Sequence, residues 1–156
     1  MRTFRIARRK WAEHPSGSGL AGRWNRDGDK VIYTSSSLSL ALLEILVHVT
    51  LDQVPSDYVW IAAEFDDQFI EPAPNEIPED TAEYGSQWLR TAGGKPVLEV
   101  PSVIVPERNF LLNPDHTEFA NIKWSEAKAL EVDPRLTRSE AKTLQSIEFA
   151  RTRSTG

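Results

Sequence analysis

A 156-residue chain without a cysteine has room for one domain with a buried core, and no means of forming a disulfide or a thiolate metal site. Its 40% apolar and 26% charged residues are those of a globular protein, and a formal charge of −5 argues against general nucleic-acid binding. His14, His48 and His116 lack metal-ligand spacing, and no apolar run nears the ~20 residues of a membrane span, so a reducing cytoplasm is the expected setting.

Residues 3–7 alternate like a short strand. Arg2, Arg5, Arg8, Arg9 and Lys10 form the one basic cluster, read as a solvated edge for most of its members. Trp11 to Pro15 interrupts any apolar signal core behind it. Pro15, Gly17, Gly19 and Gly22 then predict a loop leading into Arg23, and Asp27-Gly28-Asp29 a turn. Residues 30–34 favour a strand. Ser36 or Ser37 can cap a helix over 38–49, on which Ser37, Ala41, Glu44 and His48 share one narrow polar stripe. The other faces of that helix are almost wholly apolar, so it is expected to be mostly buried, with the stripe facing a cleft or a partner.

Further along, residues 58–65 read as a buried strand and the proline-rich, acidic 71–80 as an irregular surface loop. A short helix is expected over 81–90, a strand over 95–105 kinked at Pro101, and a strand over 109–114 ending in a turn. A helical turn over 118–122, a last strand over 128–132 and a terminal helix over 137–151 complete the series. Strands and helices do not alternate regularly. The expected fold is therefore a single mixed α+β domain with small mixed sheets and flanking helices, not a doubly wound sheet.

Three polar side chains stand out in apolar surroundings. Glu44 is the only charge between Ser35 and Val47, a candidate for a carboxylate in a pocket of low dielectric; the alternative is a surface Glu paired with His48. Arg23 offers a planar fork for a phosphate, or is an ordinary surface Arg. Tyr33 can stack on a ring, or is a core strand aromatic. Together they suit a dinucleotide cleaved at its positively charged sugar–base bond, where a carboxylate stabilises an oxocarbenium-like sugar. Arg5 could reach a phosphate and Ser102 a ribose or phosphate oxygen. Trp24 and Asn25, flanking Arg23, join the binding set, with core cover and a turn cap as their alternatives. No general base stands beside Ser102 in sequence, so a Ser-His-Asp hydrolase is not indicated. The glycine motifs of Rossmann and Walker sites are absent.

Gly22-Arg23-Trp24-Asn25, Val31-Ile32-Tyr33-Thr34 and Ser39-Leu40-Ala41-Leu42-Leu43-Glu44 occur in that order, with Tyr33 ten positions after Arg23 and Glu44 eleven after Tyr33. The set resembles the RES-domain toxins of bacterial RES–Xre toxin–antitoxin modules. Pro101-Ser102-Val103-Ile104-Val105-Pro106, the run Asn109-Phe110-Leu111-Leu112-Asn113-Pro114-Asp115-His116 and Asp133-Pro134-Arg135-Leu136 resemble the same family, so the likeness spans residues 4–136. It implies a fold similar to diphtheria-type ADP-ribosyltransferases, with a RES domain over 1–138; the tail over 139–156 lies outside the matched part and is expected to be helical and packed on it. It implies an enzyme that depletes NAD by hydrolysis or phosphorolysis, or one that transfers ADP-ribose to a protein. Arg23, Tyr33 and Glu44 would take the catalytic positions, with Arg5 and Ser102 matching further family positions. NAD would be the substrate, with no further cofactor and no metal. The implied partner is an Xre-family antitoxin, without direct contact to nucleic acid or membrane, and the tail is available for homodimer or antitoxin contact. A non-catalytic nucleotide-binding module is the alternative from another class; the cost of burying a nearly isolated carboxylate speaks against it.

Overall fold

The computed structural model describes residues 1–49, 53–91 and 93–133. Eight strands form one sheet: β1 (Arg2–Arg8), β2 (Ile32–Ser35), β3 (Tyr58–Glu64), β4 (Ile70–Pro72), β5 (Val97–Pro101), β6 (Arg108–Leu112), β7 (Lys123–Trp124) and β8 (Lys128–Ala129). Their order is β4-β5-β6-β2-β1-β3-β7, with β8 also paired to β3. Every pairing is antiparallel except β4 with β5. The helices are α1 (Arg9–Ala12), α2 (Leu38–Leu46) and α3 (Thr81–Arg90). The fold is thus α+β as expected, but with one mixed sheet where several small ones were anticipated. Local sequence does not encode which strands become neighbours.

The sheet is covered on both sides. Ile32, Val97, Phe110 and Leu112 pack together on one side, with Phe65 and Ile122, whereas Leu98, Val100 and Leu111 pack on the other against Trp24, Val31 and Trp88. Successive strand residues point to opposite faces, so a strand buried on both reads as the unbroken apolar run of Phe110-Leu111-Leu112.

Between β1 and β2 the ladder is almost absent. Phe4 opposite Ser35 is the single registered pair, whereas β1 pairs with β3 along its whole length and β2 with β6 along its own. The two strands part beyond that pair, and α2 packs across them. The Ser37 hydroxyl caps α2 by accepting the Leu40 N–H at 3.1 Å. Ser36 and Ser37 also donate to Glu107 Oε2 at 2.7 and 2.9 Å, which ties the start of the helix to the start of β6.

Several boundaries differ from expectation. α2 ends at Leu46 and not Val49. β4 (Ile70–Pro72) takes Glu71 and Pro72 out of the expected loop, β5 stops at Pro101, and a 3-10 helix covers Thr117–Asn121. The last expected strand is only Lys128–Ala129. The expected terminal helix over 137–151 lies outside the described residues, as does the tail over 139–156.

Candidate active site

A cavity of about 510 Å³ opens where β1 and β2 part, a volume typical of small-molecule sites. Arg5 from β1, Tyr33 from β2, Glu44 and His48 from α2 and its following turn, and Arg23 and Trp24 from the preceding loop all line it. The stripe of α2 that carries Ala41, Glu44 and His48 therefore does face a cleft.

Glu44 is half-buried, and its carboxylate is held rather than neutralised. Ser102 Oγ donates to Oε1 at 3.0 Å and Asn109 Nδ2 donates to the same oxygen at 2.6 Å. Among the described residues no cation forms an ion pair with Glu44, and the alternative Glu44–His48 pair is not formed. Both donors are neutral and both sit on Oε1, which leaves Oε2 for a ligand.

The two cavity arginines are also without counter-charges among the described residues. Arg5 is the member of the basic cluster that the solvated-edge reading did not fit. Burial pulls its guanidinium below the ordinary Arg value, yet Nη1 reaches only the Ser16 carbonyl, at 3.2 Å. Arginine keeps its charge at neutral pH even so. Arg23 is exposed at the cavity, anchored through its backbone: Thr81 Oγ1 donates to its carbonyl at 2.6 Å. Two unpaired guanidiniums along one cavity have the charge and the donors to receive an anion.

Tyr33 presents its ring to the cavity while its hydroxyl is engaged in the protein. It accepts the Trp24 N–H at 3.1 Å and donates to Asn25 Oδ1 at 2.8 Å. Burial pushes the phenol up to about 12, against the pull of the Trp24 N–H, so it stays neutral and cannot act as a base near neutral pH. Stacking is the role left to it.

The remaining expected binding residues take other positions. Asn25 is fully buried and does not line the cavity; its amide donates to the carbonyls of Leu20 and Arg26 at 2.9 and 3.0 Å and so knots the loop that presents Arg23. Trp24 lines the cavity but is only 2% exposed, packed edge-on to Tyr84. Ser102 does not line the cavity and addresses Glu44 instead. Asn109 lines the cavity and is the residue that sequence reasoning missed. Its only signal was membership of the Asn109 to His116 stretch.

The loop chemistry explains Gly22. A Cβ there would lie 2.7 Å from Asn25 Oδ1 and 2.8 Å from the Tyr33 hydroxyl, so only glycine leaves room for that hydrogen bond. Helix α3 braces the loop from outside. A Cβ at Gly85 would lie 1.8 Å from the Trp24 carbonyl oxygen, which means that the helix backbone rests directly on the loop backbone.

Arg23, Tyr33 and Glu44, ordered along the chain, converge on one cavity. Residues 2–133 match the sequence model of the RES domain. The chain belongs to the RES domain family. This RES domain is 35% identical over 152 aligned residues to a Sphingobium sp. (strain YBL2) protein named Prs ADP-ribosylating toxin, covering 85% of this chain and 92% of that one. It is 34% identical over 152 residues to Toxin Res of Yersinia enterocolitica, covering 87% and 99% of the two chains. Toxin Res of Photorhabdus laumondii is 34% identical over 131 residues, covering 74% and 83%. Among the described residues no helix is long and apolar enough to cross a membrane, and no cluster of three or more His, Asp or Glu could hold a metal ion.

Proposed function

We propose that this RES domain is the toxin of a toxin–antitoxin module, acts in the cytoplasm, and cleaves the nicotinamide–ribose bond of NAD. The observation that supports this most strongly is a clamped, un-neutralised Glu44 carboxylate in the same cavity as two unpaired guanidiniums. Arg5 and Arg23 would hold the pyrophosphate, with the Tyr33 ring stacked on nicotinamide. Trp24 would border the dinucleotide, and Asn25 and Ser102 would act through Tyr33 and Glu44. As the C1′–N bond breaks, its electron pair goes to the ring nitrogen and nicotinamide leaves neutral. Glu44 faces the positive charge that develops on the ribose and orients its hydroxyls. Water or phosphate then bonds to C1′ and gives up a proton. NAD is the substrate, and the scheme uses no metal.

A second reading shares this pocket and differs in the acceptor. The name of the Sphingobium relative favours transfer of ADP-ribose to a protein. Product analysis separates the two. Purified protein incubated with NAD, with and without phosphate, is expected to release nicotinamide together with ADP-ribose or its 1″-phosphate. Label from NAD on a protein band points to transfer. Tight NAD binding without nicotinamide release over hours overturns both and leaves a binding module. An Xre-family protein is the partner expected to silence the activity, measured as restored NAD on co-expression.

A further inference from the structure

The carboxylate of Glu44 is approached by two donors, and one of them is itself oriented by a third residue. Asn109 Nδ2 lies 2.6 Å from Glu44 Oε1, a short, charge-assisted contact. On its other side Asn109 Oδ1 accepts the Ser35 hydroxyl at 2.8 Å. Ser35 and Asn109 stand directly opposite each other in the β2–β6 register. Asn109 is further held from behind, where β6 pairs with β5 and Val100 faces it. Ser35 is only 4% exposed, so its hydroxyl has little choice of partner.

We propose that Asn109, oriented by Ser35, is the positioning residue that sets the Glu44 carboxylate for NAD cleavage. This rests on the reading of Glu44 as the group facing the ribose cation. An amide can be inserted either way round, and the wrong way would set Oδ1 against the carboxylate. The carboxylate, which only accepts, selects the productive way, and the Ser35 hydroxyl then holds the amide in place by donating to Oδ1. A neutral donor also holds Glu44 without cancelling its charge, as a Lys or Arg at 109 would. The Ser35–Asn109–Glu44 chain therefore fixes the Glu44 carboxyl group, with Oε2 left to the cavity, from a strand in the middle of the sheet.

The first test is kinetic. Asn109→Ala is expected to lower kcat for nicotinamide release by about 10- to 100-fold with KM nearly unchanged. Asn109→Asp, of the same shape but presenting an acceptor, is expected to lose more. Ser35→Ala should follow Asn109→Ala in direction with a smaller loss, and Ser35→Thr, which keeps the hydroxyl, should recover most of it. A proportional rise in KM, or wild-type kcat in folded Asn109→Ala, overturns the proposal. The second test needs no turnover. In the NMR spectrum of the full chain the Asn109 side-chain amide protons should move on Glu44→Gln and again on Ser35→Ala. An amide indifferent to both overturns the proposal even where NAD cleavage holds. Absence of nicotinamide release from wild type overturns the NAD reading, while the amide shifts still decide whether Asn109 positions Glu44.

Discussion

Two sets of charged side chains lie on either side of the Arg23 loop, and they are built on opposite rules. On the α3 side Arg26, Asp29, Asp80, Glu83 and Arg90 are all ion-paired. Arg26 bridges Asp80 and Glu83, the latter at 3.3 Å, and Arg90 meets Asp29 at 2.9 Å. On the cavity side Arg5, Arg23 and Glu44 share a space of about 510 Å³ without one ion pair among them or with any described neighbour. Paired surface charges contribute little stability but fix geometry, here the seat of the loop. Unpaired charges in a cavity cost stability and are at the disposal of a ligand. The first set should therefore be tested by stability and the second by binding and turnover.

The largest effect is expected at Glu44. Glu44→Gln keeps the shape and still accepts a hydrogen bond, but removes the charge proposed to face the sugar cation. Nicotinamide release should fall by about 10²- to 10³-fold, with a circular dichroism spectrum like that of wild type. Near-wild-type release from the folded variant would place the chemistry elsewhere and erase the distinction between the two charge sets.

Arg5 sharpens it further, because stability and binding should move in opposite directions. Arg5→Met fills the same space without an uncompensated charge. The ligand-free thermal midpoint is expected to rise, as replacement of buried ions by apolar groups often allows. NAD affinity is expected to fall by about 10- to 100-fold in titration calorimetry, the worth of hydrogen bonds to a charged group. A drop in midpoint with unchanged affinity would make Arg5 a structural residue tied to Ser16.

On the scaffold side the sign is reversed. Alanine is the better helix former by about 1 kcal/mol, so Gly85→Ala would stabilise an exposed helix. Here the added methyl meets the Trp24 carbonyl, and a net destabilisation of about 1–3 kcal/mol is expected in chemical denaturation. The Arg23 segment should shift with it, raising KM for NAD more than it lowers kcat. A stabilised Gly85→Ala protein would show that α3 and the loop are not in direct contact.

Much of this arrangement was legible in the sequence, and the missing part has a common cause. The helix expected over 81–90 is α3, and the structure shows Asp80 capping it by accepting the Glu83 N–H at 2.9 Å. For α2 the sequence offers Ser36 or Ser37 as the cap and a stripe facing a cleft or a partner, and the structure selects Ser37 and the cleft. Arg23, Tyr33 and Glu44 could be singled out as polar groups in apolar runs, and their order supplied the family resemblance. What periodicity cannot encode is strand partnership. The parallel β4–β5 pair and the two-residue β7 depend on neighbours distant in the chain. So does the role of Asn109, whose partners Ser35 and Glu44 lie 74 and 65 positions away. Asn25 is the opposite case: beside Arg23 it reads from sequence as a ligand contact or a turn cap, and in the structure its amide meets three backbone carbonyls.

The smallest effect concerns Asp29, and it separates scaffold from cavity by pH. Its carboxylate accepts the Ser86 hydroxyl, the Arg26 N–H at 3.2 Å and the Arg90 guanidinium. The Ser86 hydrogen bond is the main cause holding it below the ordinary value of 3.8, against the opposing effect of burial. A carboxyl lowered on folding stabilises the protein above that ordinary value, and the contribution is lost as pH falls through the lowered one. Wild type should therefore lose stability on acidification below about pH 4 more steeply than Asp29→Asn, which has no charge to lose. At pH 7 the variant's thermal midpoint should lie lower by about 2–4 °C, the shift that roughly 1 kcal/mol makes in a domain of this size. By pH 3 the gap should narrow. Nicotinamide release at pH 7 should change little, because Asp29 braces the loop from outside the cavity. A gap that widens in acid would mean that Asp29 is held protonated in the fold, which its three donors do not permit.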